Sequence, residues 1–390
     1  MMTPRPPIWH DGETLGDQLS RAGVSRRDLL KFGGRMAALF ALGPLLPGQP
    51  PATAQTVADK LAAVRKPNAV WLQLQECTGC LESTLRAGHT SIEELILNLI
   101  SLNYCELAMA AAGHQANAAL DETNKSPHIL VVNGSIPTAN AGYCTIGGKS
   151  TEQILRESAA KATAILAVGA CAFYGCVQAA QPNPTGAVGV QDILTDRQVV
   201  NVAGCPPIPE VITATIVYVL TYGRTPPVDG MGRPLFGYGA RIHDNCPRRA
   251  HYDAGQFVQS FGDEASRQGH CLAKMGCKGP DTYAPCPVIK WNMETSFPIQ
   301  AGHPCMGCTE PHWFDRNTPF YSALPNIPGL GVQSTANTVG AVALGVVGAG
   351  IALHAVATAV AREIRSEKDE AELTALGDLP GDKDASKPSS

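Results

Sequence analysis

Charge is scarce in this 390-residue chain: 16% of residues are Asp, Glu, Lys or Arg, and the formal net charge is −4. Without a basic excess there is no electrostatic footprint for nucleic acid, and that class of partner is set aside. An even number of cysteines is lacking too. Thirteen Cys cannot all close into intramolecular disulfides. What the chain does have is 13 Cys with 10 His, 39 Gly and 30 Pro, in a length sufficient for two domains and a real core.

The two ends carry addresses. "SRRDLLKFGG", from Ser25, sets Arg26 and Arg27 ahead of a moderately apolar stretch. "PATAQ" follows, with Ala52 and Ala54 suited to cleavage before Gln55. This resembles a bacterial twin-arginine signal over residues 1–54, with Leu29 where Phe is commonest. An amphipathic surface helix that happens to hold two arginines is the alternative. The twin-arginine route exports folded proteins, so a cysteine-rich body can fold around a metal cluster before it meets an oxidising compartment. At the other end, residues 338–361 contain no acidic or basic side chain except His354. As a helix these 24 residues reach roughly 36 Å, more than the roughly 30 Å of a bilayer core. They read as a transmembrane helix, rich in the Gly and Ala that let helices pack in lipid. A buried soluble helix is the competing reading. Arg362, Arg365 and Lys368 follow, whereas 317–337 is uncharged, which places the 362–390 tail in the cytoplasm and the body outside. That polar tail is expected to be disordered. An imidazole in lipid marks a polar contact or a function. For His354 that means an interhelical hydrogen bond or a face toward a haem-bearing or quinone-reactive partner.

The body divides near 225. Over 60–225, apolar runs ending in Gly or Cys alternate with helical stretches: 68–75, 128–135, 164–171 and 199–206 as strands, 91–100 and 150–162 as helices. That alternation predicts an α/β fold with a parallel sheet wrapped by helices. Ligands sit beyond the carboxyl ends of such strands. Cys77 and Cys80 of "ECTGC", Cys171 of "GAC" and Cys205 of "AGCPP" all fall there, so four cysteines distant in sequence are expected to meet at one sheet edge. Gly79, Gly169 and Gly204 allow the backbone to come close to a bulky group. "RTPPVDGMGRPLFGYGA" (224–240) reads as a boundary. Beyond it, 226–325 loses periodicity and carries seven motif-like ligand positions between 243 and 308. They split as four, His243, Cys246, Cys271 and Cys277, and three, Cys286, Cys305 and Cys308. A loop-rich domain without a large apolar core needs such sites to hold it. Spacing alone leaves zinc and iron–sulfur clusters both open.

Taken in order, "ECTGC", "GAC", "AGCPP", "H-x2-C…C-x5-C" and "GHPCMGCTEP" resemble the small subunit of membrane-bound, periplasmic nickel–iron hydrogenases, over nearly the whole chain. The resemblance implies a flavodoxin-like domain, an iron–sulfur domain and a C-terminal membrane anchor. It implies that Cys77, Cys80, Cys171 and Cys205 hold a proximal 4Fe–4S cluster. Cys286, Cys305 and Cys308 would hold a medial 3Fe–4S cluster, with Pro298 where a fourth Cys would complete a cubane. His243, Cys246, Cys271 and Cys277 would hold a distal 4Fe–4S cluster. The nickel–iron centre would lie in a partner large subunit, so this chain is not expected to catalyse alone. Electrons from hydrogen would leave to a b-type cytochrome or other quinone-linked membrane partner on the periplasmic face of the inner membrane. A dimer of heterodimers is compatible with the family.

Four residues stay outside this assignment. Cys105 and Cys144 read as plain thiols. Cys176 lies where oxygen-tolerant relatives carry one of two extra proximal thiolates. The partner position here is Gly79, so an ordinary cluster with Cys176 beside it is expected. Glu76 reads either as a surface or capping carboxylate or as part of a proton or water path. Two other functions compete. One is the cluster-bearing subunit of NADH–quinone oxidoreductases, which the first half also resembles. The other is an exported binding module held by zinc or disulfides.

Overall fold

The computed structural model describes residues 13–43, 52–88, 95–324 and 332–377. The chain divides into two compact units at Leu324/Pro325.

In the first unit, five parallel strands form one sheet: β1 (Asn68–Gln73), β2 (Ser101–Cys105), β3 (His128–Asn133), β4 (Ala162–Val168) and β5 (Val199–Val202), in the order β2-β1-β3-β4-β5. Four of these are the runs expected from the sequence. They are largely apolar because helices cover both faces. Strand β2 escapes the sequence pattern. It follows an apolar helical turn, Leu95–Leu99, with no intervening turn residue, so the two read as one apolar run. Residues 91–94 of the helix expected there lie outside the described residues.

The pleat sends alternate side chains to opposite sides. Trp71, Val131, Leu166 and Val200 share register and enter one core, with α3 (Ala54–Ala63) and α7 (Pro209–Tyr222). Val70, Leu72, Leu130, Val132 and Ile165 enter the other, beneath α5 (His114–Thr123) and α6 (Thr151–Ala159). The segment 238–321 has its own small core, built on Ile242, Val258, Leu272, Phe297 and Ile299. It contains only short helical turns.

The N-terminal segment holds α1 (Leu15–Arg21) and α2 (Arg26–Phe40). Ser25 caps α2 by accepting from the Asp28 amide at 3.2 Å. Phe32, Met36 and Phe40, spaced by four, face inward and join the core beside α3 and α7, while Arg26 and Arg27 are exposed.

Among the described residues, the second unit holds one long helix, α8 (Val332–Gly377), whose segment Ala341–Lys368 has a mean hydropathy of 1.9. It is long and apolar enough to cross a membrane. Where the sequence leads one to expect disorder after Arg362, the helix continues to Gly377. "SEKDEAELTAL" is rich in good helix formers and holds no Gly or Pro until Gly377.

Candidate metal centres

Strands β1, β4 and β5 each end in a turn that delivers a cysteine to the same edge. After β4 the chain turns at Gly169, whose φ of +99° and ψ of 155° are accessible essentially only to glycine. A Cβ there would stand 2.3 Å from the Cys80 sulfur, so the missing side chain is the space the thiol occupies. The turn is pinned to the end of β5 by two bonds. Gly169 N–H donates to Val202 at 2.9 Å and Ala170 N–H to Gly204 at 2.7 Å. Cys80 lies on α4 (Gly79–Thr84), which Ser83 ties to Pro207 through a 2.7 Å bond. Cys77 and Cys176 are within electrostatic range of Cys80. Cys176 packs with Cys171 and lies within electrostatic range of Cys205. The Cys171 thiol donates to Gln178 Oε1 at 3.3 Å. The expected edge of Cys77, Cys80, Cys171 and Cys205 is therefore assembled, with Cys176 as a fifth sulfur inside it.

Glu76 precedes Cys77 and is half-buried. Burial raises its carboxyl above the usual range, partly offset by a 3.2 Å hydrogen bond from Gln73 Nε2 to Oε1. Cys105, at the end of β2, is fully buried, and its thiol points at the Gln73 side chain.

Cys286, Cys305 and Cys308 lie around a cavity of about 450 Å³ that Pro298, Phe297 and Trp291 also line. Gly307 N–H points at the Cys305 sulfur at 3.4 Å. Burial holds the three thiols protonated when bare, with Cys286 pushed up to about 12. Cys246, Cys271 and Cys277 form a third group within electrostatic range of one another. Cys271 is pushed up to about 12 by burial. His243 shares a turn with Cys246, whose amide donates to the His243 carbonyl, and its ring stands edge-on to Tyr252 at 4.6 Å. Burial first, then Arg249, lowers its pKa, which keeps the ring neutral and its lone pair free.

The Cys305 amide donates to the Cys277 sulfur at 3.4 Å, which joins the middle group to the third. The first group meets the middle one at Cys205, which lies within electrostatic range of Cys308. Cys205 also lines the cavity of the middle group. Trp313 packs with Ala170, Cys171 and Cys176, with Cys308 against the same cluster.

All thirteen cysteines are free, which removes the disulfide-held module. Among the described residues, no three His, Cys, Asp or Glu side chains converge closely enough to share one metal ion. A polynuclear cluster asks for the opposite arrangement. Each thiolate meets a different iron, so the ligands ring a volume. A glycine-lined edge, a 450 Å³ cavity bounded by three sulfurs, and amides aimed at sulfur fit such a group and do not fit mononuclear zinc.

Over 354 residues the chain is 47% identical to the uptake hydrogenase small subunit of Azotobacter vinelandii, covering 90% of this chain and 97% of that one. The chain belongs to the nickel–iron hydrogenase small-subunit family. Hydrogenase-1 small chain of Escherichia coli strain K12 is 46% identical over 364 residues, covering 92% and 96%. Members of the family are subunits of hydrogen oxidoreductases. The family model for the C-terminal part of the NiFe/NiFeSe hydrogenase small subunit matches 238–321, and that for the NADH ubiquinone oxidoreductase 20 kDa subunit matches 77–219. The sheet half is thus common to both assemblies, and the second half decides for hydrogenase. Among solved structures, the [NiFeSe]-hydrogenase of Dm. baculatum aligns with a TM-score of 0.63 at 36% identity, covering 67% of this chain and all of that one.

Two residues that shape the site are not legible as such in the sequence. Trp313 lies in no periodic pattern, and Arg233 looks like one more charge in a Pro/Gly-rich boundary. Gly169 is readable as a backbone allowance, but that Cys80 fills the space is a tertiary fact.

Proposed function

We propose that this chain is the electron-transfer subunit of a respiratory uptake hydrogenase, coupled to a quinone-linked membrane partner such as a b-type cytochrome. Cys77, Cys80, Cys171 and Cys205 would hold a proximal 4Fe–4S cluster, and Cys286, Cys305 and Cys308 a medial 3Fe–4S cluster. His243, Cys246, Cys271 and Cys277 would hold a distal 4Fe–4S cluster. Bound, such clusters supply one-electron carriers. The observation that carries the reading is the adjacency of successive ligand sets: Cys205 lines the cavity around Cys286, Cys305 and Cys308, and the Cys305 amide donates to the Cys277 sulfur. Ligands adjacent in this order keep neighbouring centres close. Cys77 and Cys205 are exposed, which supports cover by a large subunit at the entry end. The strand order β2-β1-β3-β4-β5 supports a flavodoxin-like sheet, with the ligand edge at the carboxyl ends of β1, β4 and β5. Export of the folded chain by the twin-arginine route is supported by exposed Arg26 and Arg27. Anchoring, with the body on the periplasmic side, is supported by α8.

Glu76, half-buried beside Cys77, is assigned to a proton or water path at that interface. Cys176 is assigned to the protein matrix of an ordinary four-iron proximal cluster. The purified complex is expected to be brown, with iron and sulfide in every chain and redox-active EPR signals. A folded, colourless, iron-free chain would sink the reading. In the same EPR titration the proximal centre should change by one electron only, and two successive oxidations would make Cys176 a ligand.

Pro298 lines the middle cavity with three sulfurs, so Pro298→Cys offers the fourth. The oxidised three-iron EPR signal is then expected to vanish while iron per chain rises. An unchanged signal, with the introduced thiol still free to alkylate, would refute the assignment of the medial site.

A further inference from the structure

The N-terminal leader is seated in the body. Gly33 of α2 lies on the first turn of α3, so close that a Cβ on Gly33 would stand 2.4 Å from the Ala54 carbonyl oxygen and 3.1 Å from the Ala58 nitrogen. That carbonyl belongs to the Ala54–Gln55 bond, the bond a leader peptidase would cut. Ala54 is also the first residue of α3, and Thr53 caps that helix by accepting from Thr56 N–H at 3.1 Å. A peptidase needs its substrate extended and open on the carbonyl side. Here the carbonyl is covered by a glycine face, and the residues after the bond are already helical.

The seat itself is aromatic. Phe40 packs edge-on to Tyr218 at 5.1 Å and Phe236 at 5.6 Å, and Gly43 lies against the Phe236 backbone. The hydroxyls of Tyr218 and Tyr222 beside Phe40 are buried with no hydrogen-bond partner among the described residues. A buried hydroxyl without a partner weakens the packing that buries it. The seat therefore attracts the apolar face of α2 while holding two groups that gain water when α2 leaves. Arg26 and Arg27 remain exposed throughout.

We propose that the groove formed by α3, α7 and the Leu235–Tyr238 turn is a docking site for the chain's own leader, and that docking closes the Ala54–Gln55 bond to hydrolysis. The arginines stay readable on the folded chain, and cutting waits until α2 lifts off. The step itself adds one water across the amide, leaving a carboxylate on Ala54 and an amine on Gln55. The proposal rests on reading residues 1–54 as a cleaved leader.

The test uses the purified full-length chain, detergent-solubilised bacterial leader peptidase, and mass measurement of the new N-terminus. Folded wild type should be cut after Ala54 at least tenfold more slowly than the urea-unfolded chain. Gly33→Leu, which cannot seat on α3, should be cut at close to the unfolded rate. Gly34→Ala should match wild type, since its Cβ meets Ala54 Cβ at an ordinary 3.5 Å. Phe40→Asp removes the aromatic contact without touching α3 and should accelerate cutting as Gly33→Leu does. Amide-exchange protection of β3, unchanged in both fast variants, shows that the body stays folded. Equal rates for folded and unfolded wild type would overturn the docking proposal while leaving the leader reading intact. If even the unfolded chain is not cut after Ala54, the leader reading fails and the proposal with it.

Discussion

Gly169→Ala is expected to deprive the chain of its first cluster. The methyl group would sit 2.3 Å from the Cys80 sulfur, in a backbone conformation with φ of +99° that non-glycine residues essentially never adopt. Relaxation is blocked, because Gly169 and Ala170 are each bonded to the β5 side of the sheet edge, at 2.9 and 2.7 Å. Strain of about 1–3 kcal/mol and overpacking of about 1–3 kcal/mol fall on the same residue. The simplest escape is for Cys80 to move, and that removes it from the ring. Iron content should fall by one cluster per chain, with loss of the EPR signal assigned to the proximal centre. Gly262→Ala is the matched control. Its φ is +79° with nothing within 4 Å of an added Cβ, so it carries the strain without the collision and should retain all its iron. Full iron and an unshifted melting midpoint in Gly169→Ala would show that Cys80 is not held as described.

Arg233→Met should produce the largest loss of stability among single substitutions outside the ligands. The guanidinium is 3% exposed and satisfies three acceptors: Asp229 Oδ2 at 2.8 Å, Glu310 Oε1 at 2.9 Å and the Thr309 carbonyl at 3.2 Å. Glu310 in turn accepts the Tyr283 amide at 2.7 Å. One buried cation thus ties the 224–240 segment to the strand of chain that follows Cys308. Removing it strands two carboxylates in a low-dielectric setting, a cost of about 3–5 kcal/mol for a broken buried pair. Thermal unfolding should begin several degrees lower, and the EPR signal of the middle centre should broaden as the Cys308 loop loosens. Arg233→Lys keeps the charge but loses the fork, and should fall between wild type and Arg233→Met. Adding Glu310→Gln to Arg233→Met should restore part of the loss, because the uncompensated charge is the main cost. A double variant no more stable than the single would show that packing around Arg233, and not charge, is what matters.

Much of the site is legible in the sequence because cluster ligation leaves a discrete signature. Cysteines at C-x2-C and at strand ends are rare, and a parallel sheet brings strand ends together whatever the intervening residues. That argument reaches Cys77, Cys80, Cys171 and Cys205 from pattern alone, and the structure assembles the same edge. The second half is different. Residues 243–308 have no periodicity, so pattern gives a count of ligand-type residues and a four-and-three split, without adjacency. That the Cys305 amide reaches the Cys277 sulfur, and that Cys205 lines one cavity with Cys308, depends on loops whose course no local preference dictates.

Local chemistry along the chain is enough to specify strands β1, β3, β4 and β5, the apolar helix α8 and the identity of the sulfur-bearing residues. Unbroken apolar runs, a charge-free stretch long enough for a bilayer, and thiols at fixed spacing are all properties of short windows. The remainder comes from the folded chain. Strand β2 exists because β1 has a free edge for it to pair with. Arg233 is a structural cation because three acceptors converge on it from distant segments. Helix α2 is part of the core because α3 and α7 present a seat that its own apolar face fits. Each of these depends on groups far apart in sequence meeting in space, which no window of residues contains.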